Sequence, residues 1–497
     1  MIERTDIAAG EIASVMRMLL ADRGATVLLV AGEDRPSANA VYVHYLLTLR
    51  GAPWELRHIS VALPRESPSL PSLAALSFPM SRFEREMRDL LGITPEGHPD
   101  PRPLVRHGFW PETFHPLRQD AVTPEFADDG RPFPFTAVEG DGVYEIPVGP
   151  VHAGVIEPGH FRFNVLGETV LKMRARLYFT HKGTERLFAG RRIAEGVALA
   201  ERVSGDTTVG HAVAFCQAVE SLAGIEIPDG AKAWRVVLLE LERLYNHITD
   251  VGAIIADTGF PVGQAHCMRL RERVLRLNKA LTGSRLMRGA IVPGGVSVQA
   301  GTSGIAAEIE SVLADFEEVV QICSDNTLVA DRLDATGWLD PTVARDFGVV
   351  GYVARASGLS HDVRRDLPAG AYQWFDFAPI VEDGGDVRAR LLVRVREARQ
   401  ALFVIEQVEG RAARENVSVE AVTLPAFTPS FGIVEAWRGR LVHMVMADDH
   451  NRLHRVKIVD PSFFNWPALA RALENNIVPD FPLCNKSFNQ SYSGNDL

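Results

Sequence analysis

The sequence lacks most of the features that would place it in a membrane or in a disulfide framework. No run of about 18 apolar residues occurs in the 497 residues, and the acidic N-terminus, Met-Ile-Glu-Arg-Thr-Asp, is not followed by the apolar stretch of a signal peptide. The four cysteines form no Cys-x-x-Cys pair, which argues against disulfides and against an iron–sulfur or zinc site. We expect a cytoplasmic chain that reaches a membrane only through a partner, with cysteines that are mostly buried apolar residues.

Positive charge is also scarce. The formal net charge is −11, which argues against non-specific binding to nucleic acid because phosphate contacts require a basic surface. What is present is an ordinary globular composition, 46% hydrophobic and 23% charged, in a chain long enough for two or more domains.

The patterning divides the chain in two and predicts an α+β fold. The first part mixes helical patterns over 11–21 and 82–91 with strand patterns over 25–31, 41–50 and 54–63. Residues 120–142 are rich in Pro, Gly and Asp without a sustained period, which is typical of a linker. The predicted organisation is a docking domain over 1–120, a linker over 121–143 and a second domain over 144–497.

The second domain is predicted to be mainly helical with small antiparallel sheets. Strand alternation covers 144–177, helical periods dominate to about residue 410, and a strand pair turns at Arg438-Gly439. In the helix predicted over 234–248, one stripe is apolar and a second face carries Glu240, Arg243, His247 and Asp250. We expect this charged face to be solvated, unless another helix covers it and makes it an ion network.

Two short stretches resemble a metal site whose ligands are missing. Residues 202–211 read Arg-Val-Ser-Gly-Asp-Thr-Thr-Val-Gly-His, and residues 487–497 read Ser-Phe-Asn-Gln-Ser-Tyr-Ser-Gly-Asn-Asp-Leu. They resemble the motifs Arg-x-Cys-Gly-x-Cys-x-x-x-His and Ser-Phe-Asp-Pro-Cys-x-x-Cys-x-Asp of the NiFe hydrogenase large subunit. The ligand positions hold Ser204, Thr207, Ser491 and Gly494. Nickel and low-spin iron require soft thiolates, so we expect no NiFe centre and no firmly bound cofactor.

The first domain resembles the C-type component of NADH-quinone oxidoreductase, the respiratory complex I family. The resemblance rests on Glu-Arg-Glu-Met-Arg-Asp at 84–89, Gly-His-Pro-Asp at 97–100 and His-Pro-Leu-Arg-Gln-Asp at 115–120. His98 and His115 are expected to be turn residues, because nothing near them completes a ligand set. The domain is expected to dock neighbouring subunits.

The second domain resembles the large subunit of group 4 NiFe hydrogenases and the D-type component of complex I. The motifs include Gly-Pro-Val-His-Ala-Gly-Val-Ile-Glu-Pro at 149–158, Glu-Leu-Glu-Arg-Leu-Tyr-Asn-His at 240–247 and Asp-Pro-Ser-Phe-Phe-Asn-Trp at 460–466. The whole chain is similar to the hydrogenase-4 component G or formate hydrogenlyase subunit 5 type, which fuses the two domains. The resemblance implies a small α+β domain followed by a mainly helical domain with small antiparallel sheets.

The resemblance also implies candidate site residues. Glu157 matches a loop glutamate implicated in proton transfer, His211 matches the motif histidine, and either His152 or His160 matches a loop histidine near the quinone of complex I. The tyrosine that would face that histidine is replaced by Gly205. Asp206 and Asp496 are the further candidate cofactor contacts. A carboxylate and imidazoles around a vacated, partly polar cavity would suit proton transfer, or would satisfy one another as a buried network.

The function implied is that of a peripheral oxidoreductase subunit on the cytoplasmic side of the cytoplasmic membrane. It would take electrons from a 4Fe-4S cluster in a small iron–sulfur partner, similar to the B-type component of complex I, and pass them to a quinone-type acceptor or a proton-coupled step. Its other partners would be membrane-arm proteins, H-like and antiporter-like, and not nucleic acid. The alternatives are a structural coupling role without redox chemistry and, least favoured because Gly494 has no donor, an active NiFe hydrogenase.

Overall fold

The N-terminal region is built on a four-stranded sheet covered by one long helix. The computed structural model describes residues 2–22, 24–49, 54–128, 130, 132–419 and 422–497. The strand order is β1-β4-β3-β2, with β1 parallel to β4 and the other pairs antiparallel. The elements are β1 (Ile2–Ile7), α1 (Ile12–Arg17), β2 (Thr26–Arg35), β3 (Ala40–Leu49), β4 (Glu55–Pro64), β5 (Ser69–Pro71), α2 (Phe78–Leu91) and β6 (Thr94–Glu96).

Close packing of helix on sheet explains a glycine in β2. A Cβ on Gly32 would lie 2.3 Å from Leu91 Cδ1 and 2.9 Å from Ile93 Cδ1, so the end of α2 rests directly on the strand backbone. Both predicted helices and the three predicted strands are confirmed, with β2 extending four residues further than expected. Arg50, the predicted end of β3, lies outside the described residues. Strand β1 was not predicted because its residues are mostly polar, and only pairing with β4 makes it a strand.

Between β6 and the next strand, the described residues form neither helix nor strand, as the composition of 120–142 predicts. This segment lies on the second region through two aromatic rings. The guanidinium of Arg176 lies 4.5 Å above Phe133, and that of Arg162 lies 4.3 Å above Phe135. Asp129 and Arg131 of the predicted linker lie outside the described residues.

The second region begins with an antiparallel meander and continues as a helical body. The meander is β7 (Val143–Val148), β8 (His160–Leu166) and β9 (Thr169–Arg176). The body comprises α3 (Thr184–Phe188), α4 (Ile193–Ala200), α5 (Thr208–Ala223), α6 (Asp229–Asp257), α7 (Pro261–Thr282), β10 (Ile291–Val292), β11 (Gly295–Val296), α8 (Ile305–Ser324), α9 (Thr327–Leu333), α10 (Pro341–Asp346), α11 (Gly351–Arg355), α12 (Val363–Asp366) and α13 (Val387–Val408). The fold class expected from the sequence is confirmed.

A second antiparallel sheet closes the helical body and joins it to the N-terminal sheet. It is formed by β12 (Ser430–Ala436), β13 (Gly439–Ala447) and β14 (Leu453–Val459), with the predicted turn at Arg438. Lys457 of β14 lies 2.7 Å from Glu86 of α2 and 3.2 Å from Glu185 of α3, so a buried ion cluster joins the two regions. The chain continues through α14 (Pro461–Ala472), α15 (Phe481–Phe488) and α16 (Tyr492–Asp496).

The charged face of α6 is not solvated, so that prediction was wrong and its alternative, an ion network, is correct. All four of its members are at most 2% exposed, because α13 and the segments around α11 and α12 cover them. His247 Nε2 lies 2.8 Å from Glu397 Oε2, which also forms an ion pair with Arg243 at 3.5 Å. Arg355 donates to the other oxygen of Glu397 at 2.8 Å. Every buried charge here has an opposite partner, as burial requires.

Two smaller predictions can also be checked. All four cysteines are buried and free, as expected. His98 accepts from the backbone N–H of Asp100 at 2.9 Å, and His115 lies 3.2 Å from the carbonyl oxygen of Asp89, so both are turn residues. None of the described helices is both long and apolar enough to cross a bilayer.

Candidate functional site

The two motifs that resemble hydrogenase ligand motifs meet in space. The first forms the loop that leads into α5, and the second ends in α16, whose N-cap is Ser491. Ser204 Oγ lies 2.9 Å from Ser491 Oγ, although 287 residues separate the two in sequence. Ser491 Oγ also accepts from the backbone N–H of Gly494 at 2.9 Å. All four ligand positions, including Thr207, are buried and hydrogen-bonded within the protein.

A guanidinium occupies the space beside these positions. Arg438, at the tip of the β12–β13 hairpin, donates to both oxygens of Asp206 at 2.6 and 2.7 Å and to Thr207 Oγ1 at 3.2 Å. It also donates to the carbonyl oxygen of Asn489 at 2.7 Å, so it joins the two motifs. Burial alone would raise the pKa of Asp206, but Arg438 outweighs it and lowers that pKa to about 2. The expected vacated cavity is therefore filled by an ion pair.

The fourth position has no room for a larger side chain. A Cβ on Gly494 would lie 2.6 Å from Asp460 Cγ and less than 3 Å from both carboxylate oxygens. Asp460 is held by the N–H of Ser462 at 2.8 Å, where it caps α14, and it lies 3.2 Å from His211 Nε2. His211 Nδ1 in turn lies 2.9 Å from His443 Nε2. His211 thus belongs to a buried structural chain behind the motif.

The residues at the motif do not suit a nickel–iron centre. Hydroxyl groups and a glycine replace the thiolates, and a guanidinium adds positive charge where a metal would need negative ligands. In the part of the chain that the structure describes, no group of three or more His, Cys, Asp or Glu side chains is arranged to hold a metal ion.

The loop between β7 and β8 separates the two candidate histidines. His152 Nε2 lies 3.2 Å from the hydroxyl of Tyr492. His160 instead lies 3.2 Å from the carbonyl oxygen of Gly149 and accepts from Arg162 at 3.2 Å. Burial, with a smaller contribution from the charge of Lys486, lowers the pKa of His152, so its ring is neutral at neutral pH. Of the two, His152 faces the motif.

Three consecutive residues of α16 and its cap each contact one candidate residue. Ser491 bonds Ser204, Tyr492 bonds His152, and the backbone N–H of Ser493 donates to Glu157 Oε2 at 3.0 Å. The side chains of Ser493 and Ser491 are 3.3 Å apart. Ser204 Oγ then donates to Asp206 Oδ1 at 2.8 Å. We call Ser493, Ser491 and Ser204 the hydroxyl chain, because each hydroxyl can both donate and accept a proton.

Two further candidates have different surroundings. Gly205, the position of the expected tyrosine, is exposed, and nothing lies within 4 Å of where its Cβ would be. Asp496 accepts from Thr180 N at 3.0 Å and Thr180 Oγ1 at 2.7 Å, which anchors the turn after β9. Burial raises the pKa of Asp496.

Sequence reasoning missed Arg438, Asp460 and Tyr492 as members of the site. Arg438-Gly439 was recognised only as a turn, although a cation at a hairpin tip between two buried strands is itself a signal that a carboxylate lies nearby. Asp460 lies in a motif that served only to establish the resemblance. Tyr492 occupies a variable position of the last motif, and its approach to His152 depends on the fold.

Both regions of the chain match sequence profiles of known protein families. A sequence profile described as the respiratory-chain NADH dehydrogenase 30 Kd subunit matches residues 5–127, and the profile of the 49 Kd subunit matches 257–430 and 419–496. Formate hydrogenlyase subunit 5 of Escherichia coli is 32% identical, over 97% of this chain and 86% of that protein. Hydrogenase-4 component G of the same organism is 32% identical, over 94% and 82%.

A solved structure also matches. A chain of the membrane-bound sulfane sulfur reductase, described as an archaeal respiratory membrane complex, superposes with a TM-score of 0.66 at 25% sequence identity. The match covers 72% of the present chain and 99% of that chain. The chain is therefore similar both to hydrogenase subunits and to a chain of a respiratory complex that is named a sulfane sulfur reductase.

Proposed function

We propose the following role for this chain, which belongs to the family of group 4 NiFe hydrogenase large subunits. This family is related to the fused C-type and D-type components of complex I. These relatives are subunits of oxidoreductase complexes. In this proposal the chain is the peripheral subunit of a membrane-bound, complex I-like oxidoreductase. There, electrons from a partner's 4Fe-4S cluster reach a quinone-type acceptor in a proton-coupled step.

The proposal rests on one observation: three successive residues near the end of the chain each contact one residue of the candidate site. Ser491 reaches Ser204, Tyr492 reaches His152, and Ser493 reaches Glu157. A helix of five residues thus gathers a neutral imidazole, a phenol, a carboxylate and a series of hydroxyls. Such a set can bind and protonate a carbonyl oxygen, because it offers both hydrogen-bond donors and a titratable acid.

Each residue has a defined part in this proposal. Tyr492 donates its hydroxyl hydrogen to a carbonyl oxygen of the acceptor, and His152 orients that hydroxyl by donating its Nε2–H to it. Glu157, which is exposed, exchanges protons with solvent. The hydroxyl chain connects the neighbourhood of Glu157 with Asp206, and Arg438 keeps Asp206 ionised so that it can accept a hydrogen bond. The acceptor, when bound, supplies the redox chemistry.

The proposal assigns no nickel to this chain. Purified chain, or its complex, should contain much less than one nickel, because the thiolates are absent and Arg438 lies beside their positions. Elemental analysis that found about one nickel per chain would contradict this assignment.

The partners and location follow from the family and are part of the same proposal. A small iron–sulfur protein, similar to the B-type component of complex I, would contact this chain, and H-like and antiporter-like proteins would form the membrane arm. Attachment to the cytoplasmic face of the membrane would be through these partners. Co-expression with the small iron–sulfur partner should increase the yield of soluble chain.

A second candidate function is structural coupling without redox chemistry. It is favoured by the closure of the motif, because the four ligand positions and Asp206 satisfy one another through Arg438 and leave few groups free to react. In that case the chain would only transmit force or position between the iron–sulfur partner and the membrane arm.

Two conservative substitutions distinguish these candidates in the intact complex. Tyr492→Phe removes one hydroxyl and Glu157→Gln removes one titration, and each should lower quinone-linked turnover about 100-fold while assembly is unchanged. Glu168→Gln, on the exposed β8–β9 turn, is the matched control and should have no effect. If both test variants turn over like the wild type, the structural candidate is correct and the redox proposal is wrong.

A further inference from the structure

A second region of the molecule is rich in positively charged side chains. A cavity of about 900 Å³ lies between the N-terminal helix α2 and β9, and it is bounded by the loop after α10 and by α14. Its volume lies in the range of small-molecule sites, about 300–1,000 Å³. Residues 133–136 of the segment between the two regions cross one side of it.

Positive charge is concentrated in this cavity, although the chain as a whole is acidic. Seven cationic side chains and two carboxylates line it, in a protein whose net charge is −11. Six of the seven are arginines, whose planar forks suit phosphate and carboxylate groups. The cations are Arg82, Arg85, Arg102, Lys172, Arg174, Arg176 and Arg345.

Most of these cations have no carboxylate partner among the described residues. Asp100 bonds Arg85 at 2.9 Å and Arg102 at 2.8 Å, which leaves the other five cations without an ion pair. Arg82 and Arg176 are 7% and 5% exposed, yet their guanidinium groups bond backbone carbonyl oxygens and the Asn495 amide and pair with no carboxylate among the described residues.

Burying a guanidinium without a counter-charge is costly, and several buried arginines elsewhere in the protein have one, although Arg390 and Arg440 bond no carboxylate among the described residues. Arg355, Arg364 and Arg394 are equally buried, and each bonds a carboxylate at 2.7–2.9 Å. In the cavity, burial lowers the pKa of Arg176 to about 10 despite nearby acids. An anion in the cavity would offset this cost, since it would supply the missing counter-charge.

Flat apolar surfaces lie among the cations. The rings of Phe133 and Phe135 are 4.9 Å apart, and Phe78 stacks on Phe347 at 4.2 Å, all four at the cavity wall. Trp466 completes the lining and donates its indole N–H to the carbonyl oxygen of Ser491 at 3.1 Å. Cations beside aromatic faces match a ligand that has both charged groups and a planar ring.

We infer that this cavity is a binding site for an organic polyphosphate with an aromatic ring, of the nucleoside di- or triphosphate type. The arginines and Lys172 would bind the phosphates, and the phenylalanines would pack against the ring. Because Trp466 lies between the cavity and Ser491, the ligand would also stiffen the wall that supports the hydroxyl chain.

The test is equilibrium binding of ATP to the full chain, co-purified with its partner subunits where these are needed for solubility. ATP should bind saturably below about 1 mM, more tightly than inorganic pyrophosphate and more weakly as salt increases. Arg174→Gln and Arg345→Gln should each weaken binding about tenfold, since each removes one charge-assisted hydrogen bond. Arg174 is half-buried and Arg345 is exposed, so both variants should fold.

Arg388→Gln is the matched control. Arg388 is exposed, pairs with Asp334 at 3.2 Å and does not line the cavity. Its loss should change ATP affinity less than threefold, roughly the effect of one partly screened surface charge. Absence of saturable ATP binding at about 1 mM, or equal affinity in wild type and Arg174→Gln, would overturn the inference.

Two more outcomes decide the chemical class of the ligand. If pyrophosphate binds as tightly as ATP, the aromatic wall does not contact a ring and the nucleotide assignment is wrong. If a hexaglutamate peptide binds in an Arg174-dependent way and ATP does not, the cavity docks an acidic protein segment and the small-molecule proposal is wrong.

Discussion

Replacing Gly494 with cysteine tests whether the missing ligands are all that separates this chain from a metal site. The new Cβ would lie 2.6 Å from Asp460 Cγ, a distance that real Cβ atoms essentially never show. Asp460 cannot move freely, because it caps α14 through Ser462 N at 2.8 Å and holds His211 at 3.2 Å. Something in this buried group must therefore shift.

The cost can be estimated from two contributions. Overpacking of a buried site costs about 1–3 kcal/mol, and loss of the α14 cap costs about 1 kcal/mol. We expect Gly494→Cys to lower the free energy of unfolding by about 2–4 kcal/mol, measured as a lower midpoint in urea. Ser204→Cys is the matched control, because its thiol weakens the two hydroxyl hydrogen bonds to Ser491 and Asp206 but leaves both partners in place, and it should cost about 1 kcal/mol.

The same reasoning extends to the variant with cysteine at all four ligand positions. It should not evolve hydrogen when co-expressed with nickel-insertion machinery, because Arg438 remains beside position 207 and Asp460 against position 494. Four thiolates would sooner bind zinc, which accepts any tetrahedral sulfur set. Equal stability of Gly494→Cys and Ser204→Cys, or hydrogen evolution by the quadruple variant, would refute this reasoning.

The remaining predictions concern the buried ion network of α6. Arg355→Met should destabilise the protein by about 3–5 kcal/mol, because Glu397 and Glu435 each lose a partner at 2.8 Å. The control is Arg388→Met at an exposed position, which should change stability by less than about 0.5 kcal/mol. Burial, which outweighs the charge of Glu397, lowers the pKa of His247 to about 4, so the folded protein keeps the ring neutral while the unfolded chain takes up a proton below about pH 6.5. Stability from His247 is therefore complete above about pH 6.5 and decreases as pH falls toward 4, and the pH-dependent unfolding of His247→Asn should lack this slope. A slope unchanged in that variant would assign the acid sensitivity to other groups.

The sequence by itself determined the fold class and several of the elements. The 3.6-residue period over 234–248 predicts the core of α6, and the alternation around Arg438-Gly439 predicts the β12–β13 hairpin, because one buried face imposes its period on the chain. The order of the motifs predicts the family, which the comparison with known proteins confirms. The absence of the ligand cysteines can also be read directly from the sequence.

Only the tertiary structure decided what the polar residues do. The charged face of α6 is a network rather than a solvated surface because Arg355 and Glu397 arrive from segments more than 100 residues away. His152 rather than His160 approaches the motif because the β7–β8 loop turns it toward Tyr492, 340 residues later. Arg438 meets Asp206 across 232 residues. Local sequence patterns show which face of an element is buried. The partner of a buried charge depends instead on how distant segments pack, and for this reason the sequence alone could not specify the contacts of the candidate site.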